Sequence, residues 1–113
     1  MVIRARLSLD ADGAVAAFSA SGHADRGGRG TDIVCAAFTV LARTAYRSLE
    51  GLAGIELQGE AREPGSLSFS VRRPARDTET ARGIAVFFET GLGDLAREYP
   101  DAVAVTIERD SEG

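Results

Sequence analysis

The sequence predicts an α+β fold in which one antiparallel-rich sheet packs against two helices, in the order ββαββαβ. Three observations indicate it: two pairs of stretches that alternate apolar and polar residues, two long segments with helical spacing of apolar residues, and one last alternating stretch. The chain has 113 residues, 44% of them apolar, which suits one domain with one core. We therefore expect residues 1–113 to form a single domain.

Each half of the chain begins with a predicted hairpin. VIRARLSL alternates in polarity, and the turn sequence DADG separates it from a weaker alternating stretch, AVAAFSASG, so that residues 2–21 form the first hairpin. IELQGE and SLSFSVRR flank the turn-rich AREPGS and form the second hairpin over residues 55–73. The stretch AVAVTIER predicts the last strand.

Two helices are predicted between these strands. The first has Asp32 as its N-cap and ends at two glycines, and its expected core face consists of Val34, Ala37, Phe38, Leu41, Ala45, Leu49 and Leu52. The second has Thr78 or Asp77 as its N-cap and ends before Pro100, and its expected core face consists of Ile84, Phe87, Phe88, Leu92 and Leu95.

Composition excludes several classes of function. All 13 basic residues are arginine, and the absence of lysine excludes Walker-type phosphate loops and lysine-based covalent chemistry. A net charge of −4 argues against broad attraction to nucleic acid. No stretch of about 18 apolar residues could span a membrane, and the N-terminus is too short and charged for a signal peptide. We expect a cytoplasmic protein whose single cysteine forms no internal disulfide.

The only histidine and the only cysteine stand at the two ends of a glycine-rich loop. His23 follows Gly22 at the end of the second predicted strand, and Cys35 follows the predicted N-cap by three residues. A helix dipole there favours a thiolate by about 0.3–1 kcal/mol. On an ideal helix Cys35 and Thr39 share a flank, about 100° and 140° from the core stripe. A thiol at a helix start and a base at a strand end indicate a nucleophile–base pair.

Other interpretations of these residues stay open. Cys35 could be a small buried apolar residue, and His23 could merely satisfy a turn. The loop glycines, with Arg26 and Arg29, could hold a phosphate on backbone amides before the helix, which would make the chain a phosphate-ligand or ribosome-associated binding module. A non-catalytic interaction domain is a third interpretation. The cysteine and histidine are too few for a structural zinc site, so no metal and no cofactor are expected.

Residues 22–39 resemble the signature of the ribosomal-processing cysteine protease family, Prp. The family pattern is Gly-His-Ala or Gly-His-Ser, a variable loop, and then Gly-x-Asp-Ile-Val-Cys-Ala-Ala followed by a small apolar residue and serine. The sequence here has GHA, a glycine-rich gap and GTDIVCAAFT, and its element order and its LAREYPDAVAV ending are also similar to the family. The resemblance therefore covers most of the chain.

The resemblance implies a cysteine endopeptidase that removes an N-terminal extension from large-subunit ribosomal protein L twenty-seven and forms homodimers. It also implies that Cys35 and His23 are catalytic and that Asp32 and Thr39 support them. Two positions depart from the family pattern: Thr39 replaces its serine, keeping the hydroxyl and adding a methyl group, and Phe38 is bulkier than the usual neighbour. The loop also lacks an aromatic residue that some members carry.

The loop itself is expected to contribute to substrate binding. Gly22, Gly27, Gly28 and Gly30 accompany only small and polar side chains, which can bury little surface to offset an ordering entropy of about 1–2 kcal/mol per residue. An extended substrate could supply the missing contacts through backbone hydrogen bonds and so bring the loop over Cys35.

Overall fold

The structure is a computed structural model that describes residues 2–22, 29–61 and 67–110, with the side chains at 29–32, 60 and 61 left out of the description. The elements are β1 Ile3–Leu9, β2 Val15–Ser21, α1 Arg29–Glu50, β3 Glu56–Ala61, β4 Leu67–Arg72, α2 Thr78–Glu98 and β5 Val103–Arg109. The predicted order ββαββαβ is confirmed. No helix in the described ranges is long and apolar enough to cross a membrane.

The five strands form one mixed sheet in the order β3-β4-β2-β1-β5. Both predicted hairpins are present as antiparallel pairs, β1 with β2 and β3 with β4, and β2 also pairs with β4 in antiparallel fashion. Only the β1–β5 pair is parallel among the pairings of this sheet. The antiparallel-rich sheet is therefore confirmed, and the long crossover through α2 explains its one parallel pair.

Both helices cover the same face of the sheet. The ring of Phe18 on β2 contacts Phe38 of α1, Phe88 of α2 and Phe69 of β4, with centroid distances of 6.1, 4.9 and 5.7 Å. Because side chains alternate along a strand, the residues next to Phe18 point to the opposite face. That face carries polar and small side chains, among them Arg6, Ser8, Ser19, Ser68 and Ser70, which line a shallow groove.

Helix α1 begins earlier and is rotated relative to the prediction. It starts at Arg29, three residues before the predicted N-cap, and ends at Glu50 immediately before Gly51, as predicted. Its buried residues are Val34, Phe38, Thr39, Ala42, Ala45 and Leu49. The prediction that Ala37 is buried is wrong, since this residue is exposed. The buried arc is shifted toward Thr39, where the helix lies beside β4 and the Tyr46 ring meets Phe69 edge-on at 5.2 Å.

Helix α2 follows Asp77, one of its two predicted N-caps. This residue has a left-handed backbone with φ of 55° and makes no side-chain capping bond. The buried residues of α2 are Ala81, Ala85, Phe88 and Leu92. The prediction that Phe87 is buried is wrong, because its side chain is 68% exposed. Phe87 and Phe88 lie about 100° apart on the helix, so only one of them can face the sheet.

Arg73 joins three elements at the end of the sheet where α2 begins. Its side chain is 8% exposed and forms ion pairs with Asp12 at 2.6 Å and Asp10 at 3.5 Å in the β1–β2 turn. It also donates hydrogen bonds to Pro74 O and Thr78 Oγ1. These contacts fix the first hairpin against the start of α2, at the end of the sheet opposite the start of α1.

Candidate active site

The candidate site lies where β2 ends and α1 begins. Strand β2 ends at Ser21, and Gly22 follows with φ of 65°, a left-handed conformation that glycine adopts without strain. His23 is the next residue, and with Gly27 and Gly28 it lies outside the described residues. The predicted roles of these three residues, like the predicted phosphate-binding loop, therefore stay predictions.

Cys35 lies on α1 near the end of β2. The contact between Phe38 and Phe18 sets the height of the helix over that strand, and α1 runs antiparallel to β2 because it continues into β3 from the opposite end of the sheet. Three residues before Phe38, just under one helical turn, is a step of about 4.5 Å toward the end of β2. Cys35 occupies that position, partly buried, as a free thiol outside the buried core.

The structure corrects the expected relation of Cys35 to the helix start. Asp32 is the fourth residue of α1 and not its N-cap, and Gly30 is the second residue of the helix and not part of the loop. Cys35 is therefore in the second turn. The helix dipole acts mainly within the first turn, so the stabilisation of a thiolate expected from it does not apply in full. Among the residues of α1, the amides that lack an intrahelical acceptor are those of residues 29–31.

Thr39 lies one turn after Cys35 on the same side of α1. The prediction that this flank points away from the core is wrong at Thr39, whose side chain is only 6% exposed. Its Oγ1 atom is buried and has no hydrogen-bond partner among the described residues. An unpartnered buried hydroxyl costs about 1–3 kcal/mol, and buried polar groups in proteins are rarely left in this state. The Thr39 hydroxyl is therefore an unusual buried polar group without a partner among the described residues, and it lies one helical turn from the thiol.

The structure thus brings together some of the predicted residues. Cys35 and Thr39 are neighbours on α1, and Gly22 directly follows the strand over which that part of the helix lies. Sequence reasoning treated Phe38 only as a core residue and missed that its contact with β2 fixes the position of the thiol one turn away. The signal was the spacing of three residues between Cys35 and an aromatic residue on one helix.

The sequence matches the family described as cysteine protease Prp over residues 2–104. No curated protein matches it significantly. Among solved structures, SMU.848 from Streptococcus mutans is 25% identical with a TM-score of 0.68, covering 96% of each chain.

A further solved structure with this fold is described as an essential ribosomal processing protease Prp from S. aureus in complex with a substrate peptide. It is 20% identical with a TM-score of 0.72, covering 95% of this chain and all of that one. A second structure of that protease, described with a covalently linked product peptide, is 21% identical with a TM-score of 0.71.

Proposed function

Because the chain belongs to the cysteine protease Prp family, we propose that this cysteine-type endopeptidase removes the N-terminal extension of large-subunit ribosomal protein L twenty-seven, with Cys35 as nucleophile and His23 as general base. The observation that carries the proposal is the position of Cys35. It lies over the end of β2, and His23 is two residues after that strand in the sequence. The S. aureus protease of the same fold was crystallised with a substrate peptide and with a covalently linked product peptide.

The reaction needs one thiol and one imidazole. His23 accepts the thiol proton, and the Cys35 sulfur attacks the carbonyl carbon of the scissile peptide bond to give a tetrahedral intermediate. His23 then returns the proton to the leaving nitrogen as the C–N bond breaks, leaving a thioester on Cys35. Water, deprotonated by His23, hydrolyses the thioester and regenerates the thiol. General acid–base help of this kind is worth about 10²–10⁴ in rate.

The start of α1 supplies candidate donors for the oxyanion. The free amides at residues 29–31 lie toward the helix N-terminus, which is the direction in which side chains on a helix lean. Donors aimed at a developing oxyanion are worth about 2.7–4 kcal/mol each. Asp32, in this first turn, is proposed to orient His23. Thr39 is proposed as a positioning residue whose hydroxyl holds either the Cys35 thiol or the substrate in place.

The remaining features of the proposal follow from the resemblance. The chain acts as one domain in the cytoplasm, without a cofactor, and it forms a homodimer. Its substrate is an extended N-terminal segment of the ribosomal protein, and the loop glycines Gly22, Gly27 and Gly28 contribute backbone contacts to it. Nucleic acid and membranes have no part in the reaction.

Peptide cleavage tests the proposal. A peptide copying the N-terminal extension and the first residues of the mature ribosomal protein is incubated with the protein, and products are identified by mass spectrometry. We expect a single internal cut that Cys35→Ala and His23→Ala each abolish, while Ser70→Ala, on the opposite face of the sheet, leaves it unchanged. Full cleavage by either of the first two variants would refute the assigned roles. An uncut peptide would refute the substrate.

A further inference from the structure

Helix α1 exposes an apolar face that begins beside Cys35. Ile33 is 62% exposed and Val40 59% exposed, and Ala36 and Ala37, which lie between them, are also exposed. We name these four residues the α1 face. Ile33 and Val40 are seven residues apart, about two turns, so they lie on one line along the helix. Adjacent apolar side chains on the outside of a helix are typical of an interaction surface when polar residues border them.

The last turns of α2 lie beside the α1 face. The two helices run in opposite directions and meet where a Cβ on Gly91 would lie 2.8 Å from the Leu41 side chain. Seven residues further along α2 is a step of about 10.5 Å, which brings Glu98 level with Val34 of α1. Asp94 and Glu98 follow Gly91 by three and seven residues, so they lie on the side of α2 that faces α1. Both are exposed and border the α1 face.

This border is acidic. Asp94 is paired with Arg97 at 2.9 Å, whereas Glu98 forms no ion pair with a described residue. The same holds for Asp101, which is exposed in the turn that follows α2. The Tyr99 side chain, 37% exposed, lies between these two acids in the sequence. The apolar α1 face therefore adjoins carboxylates that carry uncompensated negative charge, which favours a basic partner.

We propose that the α1 face, together with Glu98 and Asp101, binds the mature part of the ribosomal protein, which is the part that remains after the extension has been removed. This inference rests on the proposed function and adds a binding surface outside the reacting groups. A protein that assembles with RNA carries clustered Arg and Lys for contact with phosphates. Such side chains match the carboxylates, and apolar residues among them match Ile33 and Val40.

The proposed reaction itself brings the mature part to this surface. The first residue of the mature part lies at the Cys35 sulfur when the peptide bond breaks. Ile33 and Val40 lie about 3 and 7.5 Å from Cys35 along the axis, on the other side of a helix about 10–12 Å wide. An extended residue spans about 3.3–3.6 Å, so about five residues after the cut reach the α1 face. Proximity to the thiol thus selects the substrate as the occupant.

Binding without cleavage tests the surface. The Cys35→Ala variant prevents the cut, and isothermal titration calorimetry at about 0.1 M salt gives its Kd for the unprocessed ribosomal protein, the mature protein and the free extension peptide. We expect the mature protein to bind by itself. Val40→Ser and Glu98→Arg, each added to Cys35→Ala, should raise the Kd of the mature protein about tenfold. The Kd of the extension peptide should not change.

Glu50→Arg is the matched control for Glu98→Arg. It makes the same change of charge at an exposed residue at the far end of α1, about 22 Å from Cys35 along the helix. It should change the Kd of the mature protein less than about twofold. A mature protein that does not bind, or that binds all variants alike, would overturn the proposal. So would variants that weaken only the extension peptide.

Two further measurements separate this inference from its neighbours. Sedimentation velocity compares each variant with the parent protein, and a change of oligomeric state in Val40→Ser would overturn the proposal by assigning the α1 face to contact between copies. Cleavage of the extension peptide is measured on the chain that retains Cys35. An uncut peptide rejects the proposed reaction, whereas the docking surface is judged on the Kd of the mature protein.

Discussion

Replacing Thr39 by valine separates a functional hydroxyl from a structural one. The two side chains have the same shape, and the exchange removes only the Oγ1 atom, which is buried without a partner among the described residues. Burial of an unpartnered hydroxyl costs about 1–3 kcal/mol. Thr39→Val removes that cost and buries one more methyl group. We therefore expect its free energy of unfolding to rise by about 1 kcal/mol.

Activity should change in the opposite direction. If the hydroxyl positions the thiol or the substrate, Thr39→Val should lower kcat/KM about tenfold, which corresponds to about 1.4 kcal/mol of transition-state stabilisation. Thr39→Ser keeps the hydroxyl and removes a buried methyl group, so it should lose about 1 kcal/mol of stability and keep most of its activity. Stability then follows the order Val, Thr, Ser, while valine has the lowest activity.

Two measurements on the three proteins decide the matter. Urea unfolding gives the free energies, provided that the m-values agree, and peptide cleavage gives kcat/KM. A loss of more than about 1 kcal/mol in Thr39→Val would show that the hydroxyl makes a stabilising bond and that the structural reasoning is wrong. Cleavage at the wild-type rate in Thr39→Val would show that the hydroxyl has no part in the reaction.

Three further predictions concern the scaffold. Gly59→Ala should destabilise the chain by roughly 3 kcal/mol or more in urea unfolding, because its φ is 114° and its Cβ would lie 2.1 Å from a backbone oxygen of β4; wild-type stability would show that β3 shifts freely. Arg73→Met should cost about 1–3 kcal/mol because Arg73 is buried between two aspartates, whereas Arg72→Ala, which removes a cation that is 86% exposed, should cost under about 0.5 kcal/mol; equal losses would contradict this reasoning. Gly22→Val should lower peptide cleavage more than global stability, since a β-branched residue at φ of 65° forces the chain that leads to His23 onto another path; unchanged cleavage would refute it.

Element order was predictable because each signal was local. Alternation defined both hairpins and the last strand, and Gly51 marked the end of α1. The start of α1 was not predictable in the same way, since Arg29, Gly30 and Thr31 carry no apolar side chain that continues the helical period and glycine favours a loop. Because that signal was missing, the N-cap was predicted at Asp32, and Cys35 was therefore predicted to lie in the first turn.

The rotation of each helix depended on tertiary packing that a sequence pattern does not contain. Phe87 and Phe88 give equal hydrophobic signals, but Phe88 shares its helix face with the buried Ala81 and Ala85, which contribute little to a sequence pattern. Thr39 looked like a flank residue for a similar reason. Its burial follows from the position of α1 over β4, which depends on the strand order and not on the helix itself.

The position of the thiol depends on the aromatic core. Phe38 holds α1 against Phe18, and Phe18 also contacts rings from α2 and β4, so the turn that carries Cys35 is fixed by three elements. In the proposed mechanism the imidazole belongs to His23, which follows the same strand, β2, by two residues. A slip of α1 by one strand residue, about 3.4 Å, would exceed the hydrogen-bond reach between a thiol and its base. The contacts of Phe18 with Phe38, Phe69 and Phe88 therefore stabilise the fold and, in the proposed mechanism, also set the register between Cys35 and the base that follows β2.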